Sequence, residues 1–121
     1  MITAKHFSEA EFQRCSPACS LQDMSQDTID RLDLAREIAG IPFVLNSAYR
    51  SKAYELSKGR TGTGAHTSGH AVDIRCTSDA NRMKIVSACL DAGFRRIGIG
   101  KTYIHVDDDT NKTPNVMWHY Y

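Results

Sequence analysis

Two short segments limit most strongly how this chain can fold. Ala71-Val72-Asp73-Ile74-Arg75 and Tyr103-Ile104-His105-Val106-Asp107 each alternate aliphatic with polar side chains, the period of a strand that buries one face. In the first, Val72 and Ile74 turn to the core and Asp73 to the other side. In the second, Ile104 and Val106 turn inward, so His105 and Asp107 project together on the opposite face. His66 lies just upstream, in Gly64-Ala65-His66-Thr67-Ser68-Gly69-His70, where the chain turns at Gly69 before the first strand. Two imidazoles and a carboxylate can therefore converge. Catalytic zinc typically takes about three protein ligands and keeps a further position open, so His66, Asp73 and His105 are the candidate metal ligands of a metallohydrolase.

The rest of the chain narrows the alternatives. A length of 121 residues suits one domain, 1–121, with one core. Fifteen Lys and Arg against fourteen Asp and Glu leave no basic stripe for nucleic acid and no acidic tail. No stretch approaches the ~20 apolar residues of a membrane span, and Met1 to Phe7 lacks the apolar run of a secretory signal. The expectation is a monomer made in the cytosol, with no membrane insertion and no nucleic-acid partner. Four cysteines then read as reduced thiols. Cys76 and Cys89 suit buried positions, while Cys15 and Cys19 could grip a metal or close a small loop, with a local structural role preferred.

Ser8-Glu9-Ala10-Glu11 has capping-box spacing and predicts a helix from Glu9 to about Arg14, with Phe7 and Phe12 stapling it to the core. A second helix is expected from about Asp27 to Ala39, with Ile29, Leu32, Ala35 and Ile38 as its stripe and Gly40 as its stop. Phe43 to Arg50 alternates as a strand, Ser47 and Tyr49 falling on the face opposite Arg50. Gly59, Gly62 and Gly64 mark Ser51 to Ala65 as a surface loop. Thr77 or Ser78 caps a third helix to about Ala92, burying Met83, Val86, Cys89 and Leu90. Phe94–Ile99 and Lys101–Asp107 read as a hairpin about Gly100, Asp108–Pro114 as a polar excursion, and Val116–Tyr121 as apolar enough to fold back. This order implies an α+β domain with a small, mostly antiparallel sheet flanked by helices.

His66-x-x-Gly69-x-Ala71-x-Asp73, preceded by Ser47-Ala48-Tyr49-Arg50-Ser51 and followed by His105-Val106-Asp107 and Trp118-x-Tyr120, resembles the zinc D-alanyl-D-alanine carboxypeptidases and L-alanyl-D-glutamate endopeptidases. These form the LAS group with lysostaphin-type enzymes and the hedgehog domain. The likeness covers roughly residues 5 to 121, with its elements in the family's order. It implies a hedgehog-like fold and one Zn2+ per chain, held by His66, Asp73 and His105. It also implies a peptidoglycan peptide as substrate, with Arg50 gripping a substrate carboxylate through its guanidinium fork. Ser47 and Tyr49 are supporting substrate contacts. The ion would polarise the scissile carbonyl and bring the pKa of a water toward ~7.

Two positions depart from the pattern. Gly64 stands where the family usually has Ser. Thr102 and Tyr103 stand where members carry a Glu three residues, or a His two residues, before the last ligand. Asp107 is the nearest carboxylate, either as general base or as the partner that orients a ligand histidine. His70 and His119 fall at variable positions, and Trp118 and Tyr120 suit a core or groove wall. The expected activity is hydrolysis of a wall-peptide amide bond, as in a phage endolysin acting on the cell wall after release. The alternative is a noncatalytic zinc-stabilised domain that binds wall peptides or serves in a phage particle.

Overall fold

The computed structural model describes residues 1–121. Its helices are α1 (Glu9–Gln13), α2 (Gln26–Ala39), α3 (Lys52–Ser57) and α4 (Asp79–Asp91), with a 3-10 turn at Leu21–Asp23. Its strands are β1 (Leu45–Ser47), β2 (Ala71–Arg75), β3 (Arg96–Ile99), β4 (Tyr103–Asp107) and β5 (Val116–His119). The strands form one sheet in the order β1-β2-β4-β3-β5, antiparallel except where β5 runs parallel to β3. This is the α+β domain expected. No helix is long and apolar enough to cross a membrane.

Alternation in β2, β3 and β4 puts Val72, Ile74, Ile97, Ile104 and Val106 on one face. There they join Ile29 and Leu32 of α2 and Ile85, Ala88 and Cys89 of α4 in a single apolar core. The opposite face of β2 and β4 is left to polar side chains. α1 starts as expected, with the Ser8 N–H donating to Glu11 Oε2 at 2.7 Å, and Phe7 and Phe12 are buried. Gly40 ends α2 at φ 68°, the left-handed conformation that closes a helix. Ser78 is the cap of α4, its Oγ accepting from the Asn81 N–H at 3.1 Å. All four cysteines are buried free thiols.

Several expectations need correction. Ile38 is 45% exposed, because steps of three residues fall short of a full turn and the stripe that starts at Ile29 has rotated to the far side by Ile38. Likewise Met83 is 70% exposed, and α4 buries Ile85 and Ala88 beside Cys89, while Val86 and Leu90 are only half-buried. The strand foreseen from Phe43 to Arg50 is paired only over Leu45–Ser47. Leu45 pairs with Ile74 and Ser47 with Asp73, so the register slips at Asn46 and the alternation fails beyond it. Residues 51 to 65 are not all loop. Ser51 Oγ accepts the Tyr54 N–H at 3.1 Å and starts α3. The last residues do fold back, but as a strand: Val116–His119 pairs with Arg96–Ile99.

A candidate metal centre in the sheet-face cavity

Asp73 and His105 are direct cross-strand partners in the β2–β4 ladder, with both side chains on the face away from the core. His66 comes from the turn before β2. That turn is held by hydrogen bonds from the Thr67 N–H to the Gly64 carbonyl and from the His70 N–H to the Ala65 carbonyl. The segment after β1 clamps it further, since the Arg50 N–H donates to the His66 carbonyl at 3.2 Å. The result brings the three side chains together. His66 Nε2 and His105 Nδ1 lie 3.3 and 3.1 Å from Asp73 Oδ1, and the three ligand atoms are all within 4.8 Å of one another. A tetrahedral ion with ~2.0–2.1 Å bonds separates its ligand atoms by roughly 3.3 Å, so this group could hold a metal.

The hydrogen bonds on the far sides of the rings decide what the near sides offer. His66 Nδ1 is 2.6 Å from the Ala48 carbonyl, which can only accept, so that nitrogen carries the proton. His66 Nε2 therefore presents a lone pair. It is buried and has no hydrogen-bond partner. His105 lies between two carboxylates, with Nε2 2.6 Å from Asp107 Oδ2 and Nδ1 3.1 Å from Asp73 Oδ1; a single proton on the closer nitrogen, Nε2, leaves the Nδ1 lone pair aimed at Asp73. Two lone pairs and a carboxylate thus face one another in a buried spot, an arrangement that requires a proton or a cation between them. Burial pushes the His105 imidazole down, but Asp107 and Asp73 outweigh it and hold it above the ordinary histidine value. Burial pushes the Asp73 carboxyl up, but the two imidazoles carry it well below the usual carboxylate range. The same negative surroundings that favour a proton on His105 favour a divalent ion.

Asp107 is only 1% exposed. Its Oδ2 serves His105, and its Oδ1 accepts from Arg96 Nε at 2.8 Å and from the Asp109 N–H at 3.2 Å. Arg96 reaches it because β3 places that residue directly opposite Asp107. The loop beyond is tied to α2, where Thr28 Oγ1 and Arg31 Nη1 both donate to Asp108 at 2.5 Å.

A cavity of about 460 Å³ opens over the group, walled by Arg50, Glu55, Arg60, Tyr103, Trp118 and Tyr120. Arg50 donates through Nε to Glu55 Oε1 at 3.1 Å and through Nη1 to Ser47 Oγ at 3.2 Å, with Nη1 3.7 Å from Asp73 Oδ2. Ser47 and Arg50 therefore meet, against the parity expected of a continuous strand, because pairing stops at Ser47. Neither Ser47 nor Tyr49 lines the cavity. His119 is exposed and His70 is half-buried, with Nδ1 bonded to Ser68 Oγ.

Trp118 and Tyr120 reach the site through β5. The Trp118 ring lies 5.5 Å from His105, with the Arg96 guanidinium 5.0 Å from its centroid on the indole. Gly98 makes this possible. It sits between His105 and Trp118 in the sheet, and a Cβ there would fall 2.8 Å from Trp118 Nε1 and 2.7 Å from Tyr120 Cε2. Gly98→Ala is expected to shift the Trp118 emission spectrum, since Trp118 is the only tryptophan; an unchanged spectrum would mean the ring packs otherwise.

Glu55, Arg60 and Arg96 were not foreseen as site residues. The available signal for Glu55 was Ser51 as a helix cap three residues before Tyr54, outweighed by the glycines that follow. Burial pushes the Glu55 carboxyl up, but the hydrogen bond from Arg60 and the charge of Arg50 outweigh it and lower it below 4.5. The stability this contributes is complete above that value and is lost as pH falls through the lower native one. Glu55→Gln should thus weaken the fold at pH 7, with the gap to the parent closing as urea melts are moved below pH 4.5. A gap that stayed constant with pH would show that the charge of Glu55 does not matter.

A sequence profile of the family described as Peptidase M15 matches residues 5–107. The matched span contains His66, Asp73, His105, Arg50 and Asp107 and ends before β5. No curated protein sequence matches the chain.

Proposed function

The chain belongs to the peptidase M15 family, and from that premise we propose that it is a zinc peptidase of bacterial cell wall. It hydrolyses an amide bond in peptidoglycan stem peptides or cross-links, of the D-Ala-D-Ala or L-Ala-D-Glu type. The observation that carries this reading is the meeting of His66 Nε2, His105 Nδ1 and Asp73 in a group that could hold a metal ion, within the lining of an open cavity. His66, Asp73 and His105 hold the ion, which supplies Lewis-acid activation of the scissile carbonyl and of water.

The chain's own groups supply position. The Ala48 carbonyl and Asp107 fix the tautomers of His66 and His105, so that each ring keeps its lone pair inward. Asp107 acts as an orienting partner, since both of its oxygens are taken and it is shut from solvent. Arg50, at the cavity wall beside Asp73, holds a substrate carboxylate through Nη2, the one guanidinium nitrogen that Glu55 and Ser47 leave free. Tyr103 and Tyr120 also line the cavity, their rings 5.5 Å apart. An enzyme released onto the wall from inside a phage-infected cell fits this activity.

A second reading has one observation in its favour. The cavity offers no free carboxylate, because Glu55 and Asp107 are both paired and Asp73 lies between the two ligand imidazoles. A wall-peptide-binding domain would have this feature too. Incubating the zinc-loaded protein with isolated peptidoglycan separates the two. New amine or carboxyl termini are expected; zinc bound one per chain with no new termini on any wall chemotype would end the peptidase reading in favour of the binding one.

A further inference from the structure

The end of α3 builds a second cationic group at the cavity that the metal centre does not use. Gly59 adopts φ 78°, which closes the helix and turns the chain back on itself. The Gly59 N–H then donates to the Leu56 carbonyl at 3.1 Å and the Arg60 N–H to the Glu55 carbonyl at 2.9 Å, the paired bonds of a Schellman motif. This geometry sets the Arg60 side chain directly over Glu55. Arg60 Nε donates to Glu55 Oε2 at 2.6 Å while Arg50 Nε donates to Oε1 at 3.1 Å, so one buried carboxylate holds two guanidinium groups side by side.

The charge count around that carboxylate is uneven. Glu55 faces two positive charges, and Arg50 also has Asp73 at 3.7 Å, so the surplus positive charge at the cavity wall lies on Arg60. Arg60 is committed only through Nε. The outer edge of its fork, Nη1 and Nη2, is the edge that takes a carboxylate through two parallel hydrogen bonds. Lys112 adds a further positive charge to the cavity lining, its Nζ donating to the Thr63 carbonyl at 3.0 Å and so tying the loop after β4 to the loop after Arg60. Arg96, the remaining cation, is consumed by Asp107 and the Thr113 carbonyl.

We propose that Arg60, anchored by Glu55 and flanked by Lys112, forms a second carboxylate subsite beside Arg50, so that the cavity selects peptides carrying two carboxylates. Only the identity of the ligand rests on the peptidase reading. Arg60 is half-exposed and Glu55 keeps its bond from Arg50, so Arg60→Gln should still fold, at somewhat lower stability. Glu55 is a positioning residue here, because it sets where both forks point.

The test uses the full chain and three synthetic stem pentapeptides: one with all carboxyls free, one amidated at D-Glu, and one amidated at the diaminopimelate side chain. Calorimetric titration of the zinc-free protein should show that one of the two amidations weakens binding about five- to ten-fold. Arg60→Gln should reduce that penalty to less than about two-fold while weakening the amidated peptide little, and Arg60→Lys should fall between because it keeps charge but not the fork. If Arg60→Gln weakened all three peptides by the same factor, or if neither amidation mattered to the parent protein, the subsite would be refuted. Should Arg60→Gln not fold by circular dichroism, Arg60→Lys supplies the same comparison. Zinc-loaded turnover of the same peptides keeps the two ideas apart. Binding that discriminates without cleavage would sink the peptidase reading alone, and cleavage without discrimination would sink the subsite alone.

Discussion

Asp73→Ala and His66→Ala should each lower the zinc content of the purified protein from one per chain to near zero. Asp73 is the common neighbour of both imidazoles, so its loss removes the charge that makes the spot attractive to a cation. His66→Ala removes the one buried nitrogen without a hydrogen-bond partner. Loss of an outer-shell partner typically costs 10–100-fold in metal affinity or activity, so turnover by either ligand variant should fall by more than ~100-fold. Chelation of the parent protein should lower its melting temperature in a manner that depends on zinc concentration, because an ion bound only by the native state stabilises it by mass action. Inductively coupled plasma mass spectrometry is the deciding measurement. One metal retained per chain in either variant would overturn the ligand set.

Asp107→Ala carries the second large effect, and it separates the two roles that a carboxylate at this position can have. Removing the side chain strips Arg96 of its partner, His105 Nε2 of its acceptor and the Asp109 N–H of its cap. Breaking a buried pair from one side costs about 3–5 kcal/mol, and the freed His105 ring should weaken zinc binding by about 10–100-fold. Asp107→Asn is milder: its amide oxygen can still accept from one neighbour, so the fold should survive. An orienting Asp107 predicts that the Asn variant loses zinc affinity and turnover together. Turnover abolished at unchanged zinc affinity would instead make Asp107 the general base.

These effects trace back to features with different legibility. The polar faces of Ala71–Arg75 and Tyr103–Asp107 could be read directly, because side-chain alternation in a strand is a property of consecutive residues. The same rule misled at Phe43 to Arg50. There the register slips at Asn46 and pairing with β2 ends at Ser47, so the chain beyond is free of strand parity and Arg50 turns back onto Ser47. Arg60 was hidden for a related reason. Its position depends on Gly59 ending a six-residue helix, and the glycines of that stretch resemble those of an open loop. Ile38 and Met83 fall off the buried faces of their helices, since a helix drifts relative to any repeat of three residues.

The amino-acid order alone determined the α+β class, the inward and outward faces of the two central strands, and the three side chains offered as ligands. Each of these follows from local periodicity and from the chemistry of His, Asp and Arg. Tertiary structure decided the rest: that Asp73 and His105 stand exactly opposed across β2 and β4, that Arg96 and Asp107 are cross-strand neighbours, and that β5 lays Trp118 over Gly98 against His105. Register between strands distant in sequence is chosen by the packing of a whole core, and no short window of residues carries that information.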